Sequence, residues 1–394
     1  MAVNKFDNSM LDAGTIGTTA NKLLQLDGST KIPAVDGSLL TGIPSSFTKS
    51  ASDPAIATNP SGGVGTLWIN TTSGEAYCCT DATAGANVWT NIGAGSGNID
   101  PWAFQGSSYG YMSGGSSPLS NVIDKYSYTS DANATDVGDI LYAAQGTHNS
   151  RSLTYGYQAG GEPSRVDINK WSFSTDGNAT DVGDLSIGRG FGDGSASGTN
   201  CYWHGGSPPY YSNVIDKNPT ASDANATDVG NLATGRDSEA SATSATHGYT
   251  AGGMTAGTVK VDMIERYSFA SDGDSVDTTQ NLTNAQTSPG GYASSTTHGY
   301  LAGGYVPAGS LKQIQKYQFD TSNNSTNVGD LTAGPNSGLT RNGSGSSSTT
   351  YGYRAGGWPS YRNEIEKWAF ASDGDGTDVA DLTVGRSEAG GTQV

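Results

Sequence analysis

Six glycine pairs recur along this 394-residue chain at a nearly constant interval. The first glycines of successive pairs are separated by 46, 45, 47, 51 and 53 residues. The pairs are Gly114-Gly115, Gly160-Gly161, Gly205-Gly206, Gly252-Gly253, Gly303-Gly304 and Gly356-Gly357. A repeat of this length is typical of a propeller or a solenoid, in which each repeat forms one supersecondary unit.

Each repeat carries the same succession of short segments in which apolar and polar residues alternate. In the second repeat, residues 155–161 end in the glycine pair, residues 168–173 read Ile-Asn-Lys-Trp-Ser-Phe, and residues 180–185 read Thr-Asp-Val-Gly-Asp-Leu. A run of small residues then leads to the next repeat. Alternation bounded by Asp-Gly or Asx-rich turns is typical of half-buried antiparallel strands. Four strands in each of six repeats predict an all-β fold, a six-bladed β-propeller.

The repeat resembles the kelch repeat in its double glycine, in the aromatic of its third strand and in an arginine four residues past the leucine. The matching arginines are Arg189, Arg236 and Arg386. The departures are Asn218 for the aromatic in the third repeat, and Ala144, Gln286 and Pro335 for the arginine in the first, fourth and fifth repeats. A valine also holds the place where kelch repeats usually have a tryptophan. The resemblance covers roughly residues 105–394 and implies a fold without implying an activity.

Blades of a propeller taper toward the axis, so the innermost strands need small side chains, and the outer strands need bulky side chains that fill the wider space between blades. The third-strand aromatics are expected to fill the space between neighbouring blades, and they are Tyr126, Trp171, Tyr267, Tyr317 and Trp368. The first repeat has no room for its own small-residue strand before Tyr109, whereas residues 387–394 match that strand. We therefore expect residues 387–394 to close the ring as the innermost strand of the first blade, beside residues 109–113.

The first hundred residues do not repeat. Residues 1–48 contain the segments Leu-Asp-Gly-Ser and Pro-Ala-Val-Asp-Gly-Ser-Leu-Leu, which resemble a segment common in bacteriophage tail fibres. This resemblance implies an extended virion-attachment segment, ordered by other virion or tail proteins and by partner chains in a homotrimer. Residues 49–97 predict a small β-module, with a hairpin over 65–79, a third strand over 88–92 and a Gly-rich joint. Residues 98–394 are assigned to the kelch-like propeller.

Composition limits the partners and the compartment. The net charge of −17 argues against nucleic acid and anionic membranes as partners. No apolar run reaches the length of a membrane span, and the N-terminus lacks the apolar core of a signal peptide. The three cysteines, Cys78, Cys79 and Cys201, form no disulfide framework. We expect a chain made in a host cytoplasm, without membrane insertion.

The loops that follow the glycine pairs vary in length and content, whereas the turns between third and fourth strands vary little. A varied face beside a uniform face suggests that the varied one binds a ligand, and drift without selection is the alternative. The candidate binding residues are Tyr210, Tyr211, Tyr305, Trp358, Tyr361 and Arg362. Aromatic side chains with nearby polar groups suit either a sugar or a protein partner.

Metal and catalytic sites find little support in the sequence. The Asp-rich turns at 272–277 and 373–378 could offer oxygen ligands to calcium, but they lack the spacing of an EF-hand, and Asx turns explain the same residues. The four histidines are scattered, and neither a catalytic triad nor a phosphate loop is present. Trp203-His204 interrupts the repeat and is interpreted as drift. We expect no cofactor, no metal and no enzymatic activity.

The layout of linker, β-module and kelch-like repeats resembles fibre or appendage proteins of tailed phages, particularly marine ones. The resemblance implies a virion protein, a tail fibre, whose propeller recognises a glycan or a protein of the host surface. The alternative is a structural role without receptor binding, as a head-fibre or decoration protein or a tail connector.

Overall fold

The regular structure of the described residues consists of β-strands alone. The computed structural model describes residues 47–92, 102–207, 211–289, 291–332 and 340–394. The chain divides into two compact units, residues 1–101 and 102–394. The prediction of an all-β fold is therefore confirmed for the described parts of both units.

The first unit contains one four-stranded sheet in the order β1-β2-β3-β4. Its strands are β1 (Phe47–Ser50), β2 (Leu67–Asn70), β3 (Ala76–Asp81) and β4 (Val88–Asn91). The predicted hairpin is present as the antiparallel pair β2 and β3, and β4 adds to it antiparallel; β1 pairs with β2 in parallel. Tyr77, Cys79 and Trp89 are completely buried and form the core of this sheet.

The second unit contains six four-stranded antiparallel sheets, one for each glycine pair, arranged as in a propeller. The first strands of the sheets are β8 (His148–Arg151), β12 (Asp193–Ala196), β17 (Ala240–Thr243), β23 (Gly291–Ser294), β27 (Ser344–Ser347) and β31 (Gly390–Gln393). The second strands are β5 (Tyr109–Ser113), β9 (Tyr155–Ala159), β13 (Asn200–His204), β18 (His247–Ala251), β24 (His298–Val306) and β28 (Tyr351–Ala355). The third strands are β6 (Val122–Ser127), β10 (Asp167–Ser172), β14 (Val214–Pro219), β21 (Met263–Ser268), β25 (Gly309–Gln318) and β29 (Glu364–Ala369). The fourth strands are β7 (Thr135–Asp139), β11 (Thr180–Asp184), β15 (Thr227–Asn231), β22 (Val276–Asn281), β26 (Thr326–Asp330) and β30 (Thr377–Asp381). A further small sheet joins β16 (Arg236–Asp237), β19 (Met254–Thr255) and β20 (Val259–Lys260).

The predicted closing strand is confirmed. β31 pairs antiparallel with β5, from Gly390 opposite Ser113 to Gln393 opposite Gly110. Its sheet has the order β31-β5-β6-β7. The first strand of this sheet therefore comes from the last described residues, and the other three strands come from the first repeat. Residues 102–104 form no strand, and the carbonyl of Phe104 instead accepts a hydrogen bond from the Gln393 side chain at 2.9 Å.

The first strands of the six sheets contact one another in chain order, and β31 contacts both β27 and β8. One residue just before each first strand has a positive φ, between 52° and 61°. Each of these residues donates its N–H to the carbonyl of its counterpart in the preceding sheet, at 2.5 to 3.2 Å, and the series returns to its start. The residues of this backbone ring are Gly146, Phe191, Ser238, Ser288, Asn342 and Glu388. The N–H and carbonyl groups of dissimilar residues are thus satisfied by a symmetric arrangement of the backbone.

The third-strand aromatics pack between neighbouring sheets, as predicted. Each lies against the second-strand tyrosine of the preceding sheet, with ring centroids 5.7 to 6.5 Å apart. The pairs are Tyr126 with Tyr353, Trp171 with Tyr111, Tyr267 with Tyr202, Tyr317 with Tyr249 and Trp368 with Tyr300. In its own sheet each aromatic lies over the glycine that precedes the second-strand tyrosine. A Cβ on Gly110, for example, would come within 2.5 Å of the Tyr126 ring.

The third repeat solves the same packing problem with different residues. Asn218 replaces the aromatic, and Cys201 stands where the other repeats need a glycine. Trp203 is fully buried in the cluster between the second and third sheets, and its indole N–H donates to Asn218 Oδ1 at 2.7 Å. Trp203 thus lies against Asn218, where the other repeats have their aromatic, so it has a packing role in the repeat that the interpretation as drift did not include.

Candidate binding site on the glycine-loop face

The uniform turns between third and fourth strands join neighbouring sheets. A lysine or arginine of each third strand forms an ion pair with a turn aspartate of the next sheet. The pairs are Lys125–Asp176, Lys170–Asp223, Lys217–Asp272, Arg266–Asp320, Lys316–Asp373 and Lys367–Asp131. In five of the six turns the side chain two residues further along accepts a backbone N–H of the preceding sheet, as Asn178 does from Asp139 at 3.1 Å. In the fifth sheet Asn324, four residues after Asp320, accepts from Asn281 at 2.9 Å. These contacts account for the constant sequence of the turns, and no cluster of three metal-ligating side chains occurs among the described residues.

The kelch-type arginines lie buried between sheets and not on a surface. Arg189 pairs with Asp216 at 2.8 Å and Arg386 pairs with Asp124 at 2.9 Å, each from one sheet to the next. Thr340, and not Pro335, holds the equivalent position in the fifth repeat, because the carbonyl of Thr340 faces Gly303 as that of Arg189 faces Gly160. Pro335 itself lies outside the described residues. Glu366 stands in the last sheet where Asp216 and Asp124 stand in theirs, and Thr340 has no charge with which to pair it. Arg354, from the same sheet as Glu366, forms the ion pair instead.

The variable loops after the glycine pairs define what we call the glycine-loop face. The loop of the last sheet brings two of the predicted residues together, since the rings of Trp358 and Tyr361 meet edge to face at 5.1 Å. The Trp358 backbone exchanges two hydrogen bonds with Arg341, at 2.8 and 3.0 Å. The carbonyl of Tyr361 packs on Gly385, where a Cβ would approach it to 2.1 Å. The loop is therefore held against the body of the sheet.

A cavity of about 280 Å³ lies beside this aromatic pair, and we call it the seam cavity. Its walls come from the first and last sheets and from the connections that enter the first strands. The residues other than Trp358 and Tyr361 are polar: Ser116, Ser117, Gln145, Arg341, Asn342, Ser387 and Glu388. No sequence pattern indicates Arg341 or Glu388 as site residues, because both lie before first strands and not in the loops after glycine pairs.

Tyr305 lies next to the seam cavity in the fifth sheet. The guanidinium of Arg341 is 4.1 Å from the centre of its ring, and the ammonium of Lys260 is 4.8 Å from that centre. Tyr305 thus links to the Trp358–Tyr361 pair through Arg341.

The remaining predicted residues do not join this cluster. Arg362 is only 4% exposed, with its guanidinium 3.9 Å from Glu364, so it lies beneath the loop rather than on it. Tyr211 is half-buried in the loop of the third sheet and does not line the seam cavity. Tyr210 lies outside the described residues.

A second group of polar side chains lies at the mouth of the channel that the first strands surround. Asp193 is buried there, accepts the Tyr292 hydroxyl at 3.0 Å, and burial raises its pKa to about 7. Burial also raises the pKa of Glu239 well above its usual value and lowers that of His204, 3.4 Å from it, to about 3. The cavity at this mouth measures about 70 Å³, room for little more than water. The seam cavity is thus the larger of the two.

No family profile and no curated protein matches the chain. Among solved structures, it is similar to that of YjhT, with 11% sequence identity and a TM-score of 0.54 over 64% of this chain and 88% of that chain. At this identity the likeness shows the fold alone. None of the described residues belongs to a helix of the length and apolarity that crossing a membrane requires.

Proposed function

We propose that this protein is a non-enzymatic appendage of a phage virion, a tail fibre, whose second unit recognises the host cell surface. We infer further that the six sheets are the blades of one closed kelch-like propeller. The cyclic contacts of the first strands, the backbone ring and the six ion pairs between neighbouring sheets support this closure. The fibre assignment rests on the resemblance of residues 1–48 to phage fibre segments, and it includes assembly as a homotrimer through that segment.

The observation that carries the receptor role is the contrast between the two faces. On the turn face, charged side chains pair with one another between sheets, which leaves a uniform surface engaged in internal contacts. On the glycine-loop face, the exposed Tyr361 and the half-buried Trp358 border a polar cavity, and ligand sites of proteins are usually concave. The titratable groups at the channel mouth have no comparable space for a substrate beside them.

Binding to cells tests the receptor role. Fluorescently labelled full-chain protein is incubated with a broad panel of bacterial strains, and the bound fraction is compared with that of Trp358→Ala/Tyr361→Ala. The matched control is Tyr109→Ala/Tyr155→Ala, which removes two tyrosines of the turn face that are 39% and 36% exposed, against 40% for Tyr361.

The proposal expects the wild type to bind some strains, the loop variant to lose that binding, and the control to keep it, with all three melting alike. Equal loss from the control would place binding on the turn face. Binding to no strain would favour the head-fibre or connector role over the receptor role.

A further inference from the structure

We propose that the seam cavity binds one pyranose residue of a host-surface glycan. This inference rests on the proposed function, because it names the ligand class of the same glycine-loop face.

The size and walls of the cavity favour a sugar ring over a protein side chain. Its volume of about 280 Å³ lies near the lower end of small-molecule pockets, which measure roughly 300–1,000 Å³. Trp358 and Tyr361 form a corner, with ring planes inclined at 68°, so a flat ligand can lie on one ring while its edge meets the other. The other walls are polar, and an apolar side chain placed there would leave them desolvated without partners. A sugar ring has both an apolar face and hydroxyl groups at its edge.

The polar walls offer acceptors and donors in one place. The amide oxygen of Asn342 is buried and makes no hydrogen bond within the described residues. The Asn342 amide nitrogen donates to Glu388 at 2.7 Å, and Ser116 donates to the other Glu388 oxygen at 3.3 Å, so the carboxylate is fixed in place. Arg341 stacks on Tyr305, lines the cavity, and has no carboxylate of the described residues within 4.0 Å. A sugar hydroxyl can donate to the Glu388 carboxylate, which lines the cavity, and accept from Arg341 at the same time.

The backbone around the cavity is held in conformations that non-glycine residues rarely adopt. Ser117 has φ 61° and Tyr361 has φ 47°, both outside the backbone ring. Strain of this kind persists where the surrounding structure enforces it, often at ligand sites. Packing of the Tyr361 carbonyl on Gly385 provides that enforcement here. The aromatic corner is thus positioned before any ligand arrives, which lowers the entropic cost of binding.

The test uses full-chain protein and three named probes: the methyl α-pyranosides of glucose, galactose and mannose. Saturation-transfer NMR detects binding and titration gives the affinity. We expect at least one probe to bind, and Trp358→Ala and Arg341→Gln each to lower its affinity about tenfold or more, as truncation of an anchoring aromatic or arginine does. The control Tyr109→Ala/Tyr155→Ala should leave the affinity unchanged. Failure of all three probes to bind, or undiminished binding by Trp358→Ala, would overturn the inference.

A second arm separates this inference from the proposed function. Strains that bind the labelled protein are treated either with periodate, which cleaves vicinal diols of sugars, or with protease. The inference expects periodate to abolish binding and protease to spare it. The opposite result, with binding still lost in Trp358→Ala, would mean a protein receptor: the proposed function would stand and the sugar site would be wrong. Cell binding that Trp358→Ala leaves intact would instead contradict the role of this face.

Discussion

Deleting residues 387–394 should unfold the second unit, whereas loss of a frayed terminus would leave its stability nearly unchanged. The segment supplies β31, and it also makes hydrogen bonds beyond the strand ladder. Eight of them link Ser116 with Ser387 in both directions, Tyr109 with Val394 in both directions, Glu388 with Asn342, Gly146 with Glu388, Gln393 with Phe104 and Thr392 with Ser150. At about 1 kcal/mol net for each bond, these alone contribute about 8 kcal/mol. A domain of this kind has a total stability of roughly 5–15 kcal/mol, so the loss is comparable with the whole.

Thermal melting followed by circular dichroism, with a dye that reports exposed apolar surface, measures the effect. We expect the truncated protein to bind the dye and to lack a cooperative transition. Adding a synthetic peptide of residues 387–394 should restore the transition, and a scrambled peptide of the same composition should not. A truncated protein that melts like the parent would refute the closure of the ring by this strand.

Three further predictions follow from buried groups. Arg354→Ala should destabilise the protein by about 3–5 kcal/mol in urea unfolding, because it leaves the Glu366 carboxylate buried and unpaired, whereas Arg354→Leu with Glu366→Gln should recover most of that loss. Trp203→Ala should cost about 3–5 kcal/mol by the same measurement, since Asn218 cannot fill the space; a loss below 1 kcal/mol would mean that the site collapses freely. Because the pKa of Asp193 is raised to about 7, the folded state holds a proton that the unfolded state releases above about pH 4, so this group lowers stability as pH rises from 4 to 7. Asp193→Asn should therefore gain stability over the wild type across that range, and a constant difference between the two would contradict the shift.

The strands and their closure follow from the sequence because they depend on local patterns that repeat. Alternation, the glycine pairs and the third-strand aromatics recur in each repeat, and the small residues of 387–394 match the missing first strand. The packing of Cys201, Trp203 and Asn218 in the third repeat is not predictable from the sequence pattern. Trp203 on the second strand compensates for the aromatic that Asn218 replaces on the third strand, and only the structure shows that these two residues are in contact. The assignment of Pro335 to the arginine position of the fifth repeat is wrong, because extra residues before Thr340 shift the pattern.

The candidate site could be predicted in part. The variable, aromatic loop after the last glycine pair predicts Trp358 and Tyr361 as site residues, and their rings lie together. Arg362 lies in the same variable loop, yet its side chain is buried beneath the loop, and no sequence pattern indicates that burial. Glu388 is a member of the backbone ring and Arg341 directly precedes the member Asn342, and the ring is defined by a shared backbone conformation rather than by one residue type.

Immunogold electron microscopy of virions tests the central assignment most directly. Antibodies raised against residues 102–394 are applied to intact particles of the phage to which the proposed function assigns this chain. We expect gold at the outer ends of tail fibres, where a propeller that recognises the host must be exposed. Gold on the capsid, or none on the particle, would contradict the assignment as a tail fibre.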